Sequence, residues 1–134
     1  MRTAADIASQ VRSGRLRAVE VVDRAVESAI AAHDALNAFT LIDPDGARHR
    51  AEAIDRLVAE GKDPGPLAGV PIGLKDIIDD AGMPTTSGSS FPSELAANSA
   101  TVVRRIGAAG GIIIGRTGLH EFAFGFTSEN PWFG

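Results

Sequence analysis

Val70-Pro71-Ile72-Gly73-Leu74-Lys75-Asp76 reads as a strand around which the chain is organised. Val70, Ile72 and Leu74 alternate with Pro71, Gly73 and Lys75. A strand here therefore puts three aliphatic side chains on one face and the lysine on the other. Pro71 has no N–H for a ladder, which puts it at a strand start or on an edge. Gly73 leaves space beside Lys75 for another group to approach. Lysine occurs only at positions 62 and 75. Lys62 lies in a Gly-Lys-Asp turn and reads as solvated, whereas Lys75 interrupts an apolar run. Burial disfavours an ammonium, and a neutral amine is a base. On the residues alone, the plainer reading is a strand-end lysine that snorkels to water.

Working outward, a turn at Asp79–Pro84 follows the strand, then the hydroxyl cluster Thr85-Thr86-Ser87-Gly88-Ser89-Ser90. Asn98 or Ser99 can cap a helix that runs to about Ala109, with Val102, Val103 and Ile106 inward. Ile112-Ile113-Ile114 is an unbroken branched run, as expected of a strand buried on both faces. Strand, helix, strand implies a parallel pair. Leu119–Phe124 reads as a short helix, and the stretch to Gly134 as a loop.

Upstream, Thr3 and Asp6 signal a helix start, and Gly14 a stop. A second helix is expected from about Ala18 to about His33, with Val19, Val22, Val26, Ala29 and Ile30 as its apolar stripe. Residues 37–42 suit a strand. Asp43-Pro44 is a helix start, N-cap then N1, for a helix reaching about Glu60. Ala47, Ala51, Ile54, Leu57 and Val58 face inward on it. Arg48, Arg50, Glu52, Asp55 and Arg56 read as a solvated face. Residues 63–134 hold 12 of the 15 glycines. This divides the chain into a helical layer, residues 1–62, and a close-packed α/β part, residues 63–134, within one domain.

The 134 residues carry a net charge of −4 and no cysteine. Direct nucleic-acid binding has no basic footprint here, and disulfides and thiolate metal sites are excluded. No H-E-x-x-H or carboxylate cluster has metal-ligand spacing, so no metal or cofactor is expected. No apolar run approaches a membrane span, and the N-terminus lacks the apolar core of a secretory signal. A cytoplasmic protein is the simplest expectation.

Gly69 to Lys75 superficially suggests a P-loop, but three residues separate the glycines and Asp76 follows the lysine. No G-x-G-x-x-G occurs. His33 and His49 read as solvated. A Ser-His-Asp arrangement of Ser87 or Ser89 with His120 lacks a G-x-S-x-G elbow. By composition, residues 85–90 form a turn whose hydroxyls cap backbone groups.

G-P-L-A-G-V-P-I-G-L-K-D, then T-T-S-G-S, then T-V-V-R-R-I-G-A-A-G-G-I-I-I-G-R-T, resembles the amidase signature family of Ser-Ser-Lys amidases. The resemblance covers nearly the whole chain. It implies a mixed-sheet α/β/α fold of which only the N-terminal part is present. It also implies hydrolysis of a carboxamide to a carboxylate and ammonia or an amine, with Lys75 as the base. The nucleophile loop of the family, G-G-S-S-G-G, would follow Gly134; Gly88-Ser89-Ser90 is not that loop, because Phe91-Pro92 follows it. Both serines then lie outside the chain, which on its own is expected to be an inactive fragment.

Where most members read K-T-N-x-x-E-F, this chain has Arg116-Thr117-Gly118-Leu119-His120-Glu121-Phe122. Arg116 keeps the charge, and Gly118 removes an amide. The resemblance implies that Ala123, Phe124, Gly125 and Phe126 line the acyl pocket for a small amide substrate, although core packing explains the phenylalanines equally well. The A subunit of the glutamine-dependent aminoacyl-tRNA amidotransferase shares these motifs and is the alternative. A homodimer or amidotransferase subunits are then the candidate partners. A non-catalytic half-domain remnant is the reading from another class.

Overall fold

A computed structural model describes residues 3–134. Its centre is a three-stranded mixed sheet in the order β1-β3-β2. The strands are β1 (Phe39–Ile42), β2 (Pro71–Lys75) and β3 (Ile112–Thr117). β3 pairs parallel with β2 and antiparallel with β1. Pro71 opens β2, an edge strand, where its missing N–H costs no ladder bond.

The alternation of β3 joins two helical layers. Ile112 and Ile114 pack into one core with Val11 and Leu16, with Val19, Val22 and Val26 of α2 (Ala18–Ala31), and with Ala47, Ala51 and Ile54 of α4 (Pro44–Ala59). Ile113 points the other way, with Leu74, to meet Val103 of α5 (Thr101–Ala108). The triple isoleucine is thus buried on both faces, as its composition requires. The result is the α/β/α sandwich with a mixed sheet that the resemblance implied.

Local signals hold at several helix starts. Thr3 and Asp6 form a reciprocal capping box on α1 (Ala4–Arg12). Asp43 caps α4, and Pro44 is its first residue.

Other expectations are corrected. The second helix ends at Ala31, and a separate short α3 (His33–Leu36) follows, so Ile30 lies at a helix end and is exposed. Neither Asn98 nor Ser99 caps α5: its N-cap is Ala100 without a side-chain bond. Ser99 instead donates to Asp80 and accepts from the Ala81 N–H. Val102 faces water, because the eight-residue α5 buries only the stripe through Val103.

The charged face of α4 is also not simply solvated. Asp55 accepts from the Ala18 and Val19 N–H groups, so it caps α2 in place of Arg17, which makes no cap bond. Arg50 reaches the Ile113 carbonyl at 3.0 Å. The expected 119–124 helix is a single 3-10 turn, Glu121–Ala123, with Phe122 and Ala123 at positive φ. Among the described residues, no helix is long and apolar enough to cross a membrane.

Candidate active site

In open α/β sheets, ligands bind beyond the carboxyl ends of the parallel strands. Here those ends are Lys75 on β2 and Thr117 on β3, which pair directly. Three loops converge on them: Asp76–Asp80, Thr85–Ser90, and the stretch after β3.

Lys75 is exposed. Its carbonyl accepts from the Ile77 and Ile78 N–H groups, which turns the chain sharply out of β2. The space left at Gly73 is taken by β1 and β3: a Cβ there would stand 2.8 Å from Thr117 Cγ2 and 3.5 Å from the Phe39 ring.

The next residue, Asp76, is 1% exposed and is the hub of the site. Its carboxylate accepts from Thr86 N (3.1 Å), Thr86 Oγ1 (2.5 Å), Thr40 Oγ1 (3.1 Å) and Arg116 Nε (3.4 Å). Its N–H donates to the Thr117 carbonyl, and its carbonyl accepts from Ser87 N at 2.8 Å. One residue thus joins β1, β2, β3 and the hydroxyl loop. Arg116 is equally buried and donates through Nη2 to Thr85 Oγ1 at 2.6 Å. Its Nη1 has no partner among the described residues.

The hydroxyl loop is held from its other side by Asn130. Asn130 Nδ2 donates to the Gly88 and Leu119 carbonyls, and Oδ1 accepts from Trp132 N and Phe133 N. All four capacities of this buried amide are therefore used. Ser87 and Gly88 both take positive φ, and a Cβ on Gly88 would stand 2.8 Å from Asn130 Nδ2. Thr86 Oγ1 and Ser89 Oγ accept from Gly88 N and Phe91 N, the capping expected of this composition.

Two hydrogen bonds link the Lys75 segment to Phe122, the residue just before the expected pocket stretch 123–126: Ser87 N to Asp76 O, and Phe122 N to Ser87 O. The side chains of that stretch are not gathered into a pocket or a core. Ala123 and Gly125 are exposed, Phe124 is 91% exposed, and Phe126 is fully exposed. Phe91, Phe122 and Trp132 are exposed as well, with the Phe91 and Phe122 rings 6.3 Å apart. His120 makes no hydrogen bond with Ser87 or Ser89; its Nδ1 is buried against Gly125. No group of three or more histidines, cysteines and acids able to hold a metal occurs among the described residues. Asp76, Arg116, Thr40 and Asn130 did not emerge from the sequence as site residues. The signals that could have found them are polar residues in apolar strand runs, above all the arginine in I-I-I-G-R-T.

The amidase family pattern matches residues 20–134. The chain is 41% identical over 134 residues to the A subunit of glutamyl-tRNA(Gln) amidotransferase from Acidothermus cellulolyticus, covering 99% of this chain and 26% of that protein. It superposes with a TM-score of 0.93, at 36% identity, on a chain from a vestigial protein complex bearing on the evolutionary origins of an s-triazine catabolic enzyme. That match covers 99% of this chain and 30% of the other. A bacterial aryl acylamidase of the amidase signature family gives a TM-score of 0.89 at 27% identity, covering 99% of this chain and 28% of its own. This chain thus spans about a quarter of the length of the curated relatives it matches. With the pattern spanning most of the sequence and amidase signature structures superposing on nearly all of it, the chain belongs to the amidase family.

Proposed function

We propose that this chain is the lysine-bearing part of a Ser-Ser-Lys amidase that hydrolyses a carboxamide. A serine oxygen attacks the carbonyl carbon, and its proton passes through a second serine to the Lys75 amine. The tetrahedral intermediate is held by backbone N–H groups. Its collapse breaks the C–N bond, and the proton leaves with ammonia or the amine. Water then releases the carboxylate from the acyl-enzyme. Both serines are assigned to sequence outside these 134 residues, so the chain alone is inactive.

The observation that carries this reading is the position of Lys75. It stands at the carboxyl end of the parallel pair β2–β3, and the following residue is hydrogen-bonded to three other segments. Lys75 is exposed in this chain. The covering that a neutral amine requires is therefore assigned to the segments that bring the serines. The same covering would turn Phe124 and Phe126 into one wall of an apolar acyl pocket. No cofactor is needed, and the enzyme is taken to be cytoplasmic.

A second reading is supported by the identity to amidotransferase A subunits. In it, the same chemistry frees ammonia from glutamine in a complex with partner subunits. Glutamine hydrolysis that requires added partners favours this reading; turnover of simple amides without them favours the first. The base assignment is tested in the complete enzyme with Lys75→Ala and Lys75→Arg. Both should lose activity by several orders of magnitude, since members of a catalytic unit fail together. Near-wild-type turnover in Lys75→Arg would remove Lys75 as the base.

A further inference from the structure

The buried carboxylate of Asp76 gathers donors from distant parts of the chain. It takes four donors from three segments, β1, β3 and the hydroxyl loop. Its ion pair with Arg116 is a poor stabilising device. The Nε–Oδ1 distance is 3.4 Å, both partners are 1% exposed, and Arg116 Nη1 is left without a partner among the described residues. Removing two charges from water costs several kcal/mol per ion, and only good geometry with full hydrogen bonding offsets it. The best-attested use of such imperfect buried pairs is to fix register.

The register at stake is visible. The Asp76 carbonyl accepts from Ser87 N, and its carboxylate holds Thr86 by both backbone and side chain. The loop is thereby fixed one residue away from Lys75. Asn130 clamps the far side of the same loop through Gly88. The floppy four-carbon stem of a lysine places its amine reproducibly only if its backbone and its neighbours are fixed.

We propose that Asp76 is a positioning residue. Through Thr86, Thr40 and Arg116 it fixes the Thr85–Ser90 loop against the end of β2, and so sets where the Lys75 amine stands for proton transfer. This rests on the amidase reading above. Displacing a reacting group by about 1 Å costs roughly 10²-fold in rate.

The test uses the complete enzyme in four variants: Lys75→Ala, Thr86→Val, Asp76→Asn, and Asp76→Asn with Arg116→Met. For each, kcat and KM on one amide are measured alongside Tm. Thr86→Val keeps side-chain volume and deletes the hydroxyl that bonds both Asp76 and Gly88. It should keep KM and lower kcat about 10- to 100-fold. The double variant removes the buried charge that Asp76→Asn strands on Arg116. Its Tm should recover relative to Asp76→Asn while its kcat stays low. If kcat recovers with Tm, or if Thr86→Val turns over at the wild-type rate, Asp76 is only structural and the proposal is overturned. Should the double variant not fold, Thr86→Val decides alone. Lys75→Ala separates the two failures: an active Lys75→Ala overturns the assignment of Lys75 as the base and with it this one, whereas an inactive Lys75→Ala beside a normal Thr86→Val overturns the positioning role alone.

Discussion

The Asp76–Arg116 pair makes a sharp prediction about stability. Asp76→Asn keeps an acceptor for Thr86 but leaves the guanidinium of Arg116 buried without its counter-charge. Arg116→Met leaves the Asp76 carboxylate buried with three donors, Thr86 N, Thr86 Oγ1 and Thr40 Oγ1. Stranding one charge of a buried pair costs about 3–5 kcal/mol. If the two effects were independent, the double variant would lose roughly 6–10 kcal/mol, most of the ~5–15 kcal/mol that holds a domain together. The double variant strands no charge and loses only hydrogen bonds, at about 1 kcal/mol each. We therefore expect about 2–3 kcal/mol for the double and a coupling of at least ~3 kcal/mol. The assay is urea unfolding of the 134-residue chain by far-ultraviolet circular dichroism, at concentrations where sedimentation shows a monomer. Midpoints are compared at constant m. A double variant as unstable as the sum of the singles would refute the argument. It would mean that Asp76 is held by the threonines and Arg116 by Thr85, with no pair between them.

Three further outcomes are expected. Gly61 and Gly88 share a positive φ, but a Cβ at Gly61 meets nothing within 4 Å while one at Gly88 meets Asn130 Nδ2 and the Leu119 carbonyl. Gly61→Ala should cost about 1–2 kcal/mol, and Gly88→Ala roughly 2 kcal/mol more with a shift in the fluorescence of the single tryptophan, Trp132; equal losses would contradict the clamp. The isolated chain should self-associate at high concentration through its exposed aromatic residues and open β2 edge, so Phe124→Ser with Phe126→Ser should lower its sedimentation coefficient there, and a wild type that stays monomeric at high concentration would count against this. The Asp6 carboxyl is held below its usual range by hydrogen bonds from the Thr3 side chain and then the Thr3 backbone. The capping box therefore contributes fully above the unfolded pKa and is lost as pH falls through the lower folded value. The first turn of α1 should fray below about pH 4 in an NMR titration, and Asp6→Asn should abolish that pH dependence.

The fold was legible where a few neighbouring residues decide the outcome. Pro44 after Asp43, Pro71 at the head of β2 and the run of three isoleucines each impose a backbone state by sterics or composition alone. The misreadings occur where distant residues decide. Asp55 looks like any solvated acid on α4 until α2 arrives, 37 residues away in sequence, with an uncapped N-terminus. Val102 and Ile30 follow the helical period, but α5 is short and α2 stops early, so neither reaches an apolar partner. The antiparallel pairing of β1 with β3 likewise has no local cause, since it depends on where α4 and α5 return the chain.

At the site, Lys75 stood out as a cation in an apolar run, but the residues alone favoured a lysine snorkelling to water, and it is exposed; only the family resemblance implied a base. Its supporting residues did not stand out, because each is ordinary in its own segment. Thr40 is 36 residues before Asp76, and Arg116 is 40 after it. A carboxylate buried this deeply needs several donors, and no single strand can supply them. The donors come together only because β1 and β3 each bring one, and the hydroxyl loop two, to the same end of the sheet. The trace this leaves in the sequence is compositional: β1 carries Thr40, β2 ends in Lys75-Asp76, and β3 ends in Arg116-Thr117, all within otherwise aliphatic runs. Polar residues recurring at the ends of apolar strands therefore mark the end of the sheet where the candidate site lies before any pairing is known. Which of them touch is decided by topology, and the topology here makes Asp76, rather than the more conspicuous Lys75, the residue on which the loops converge.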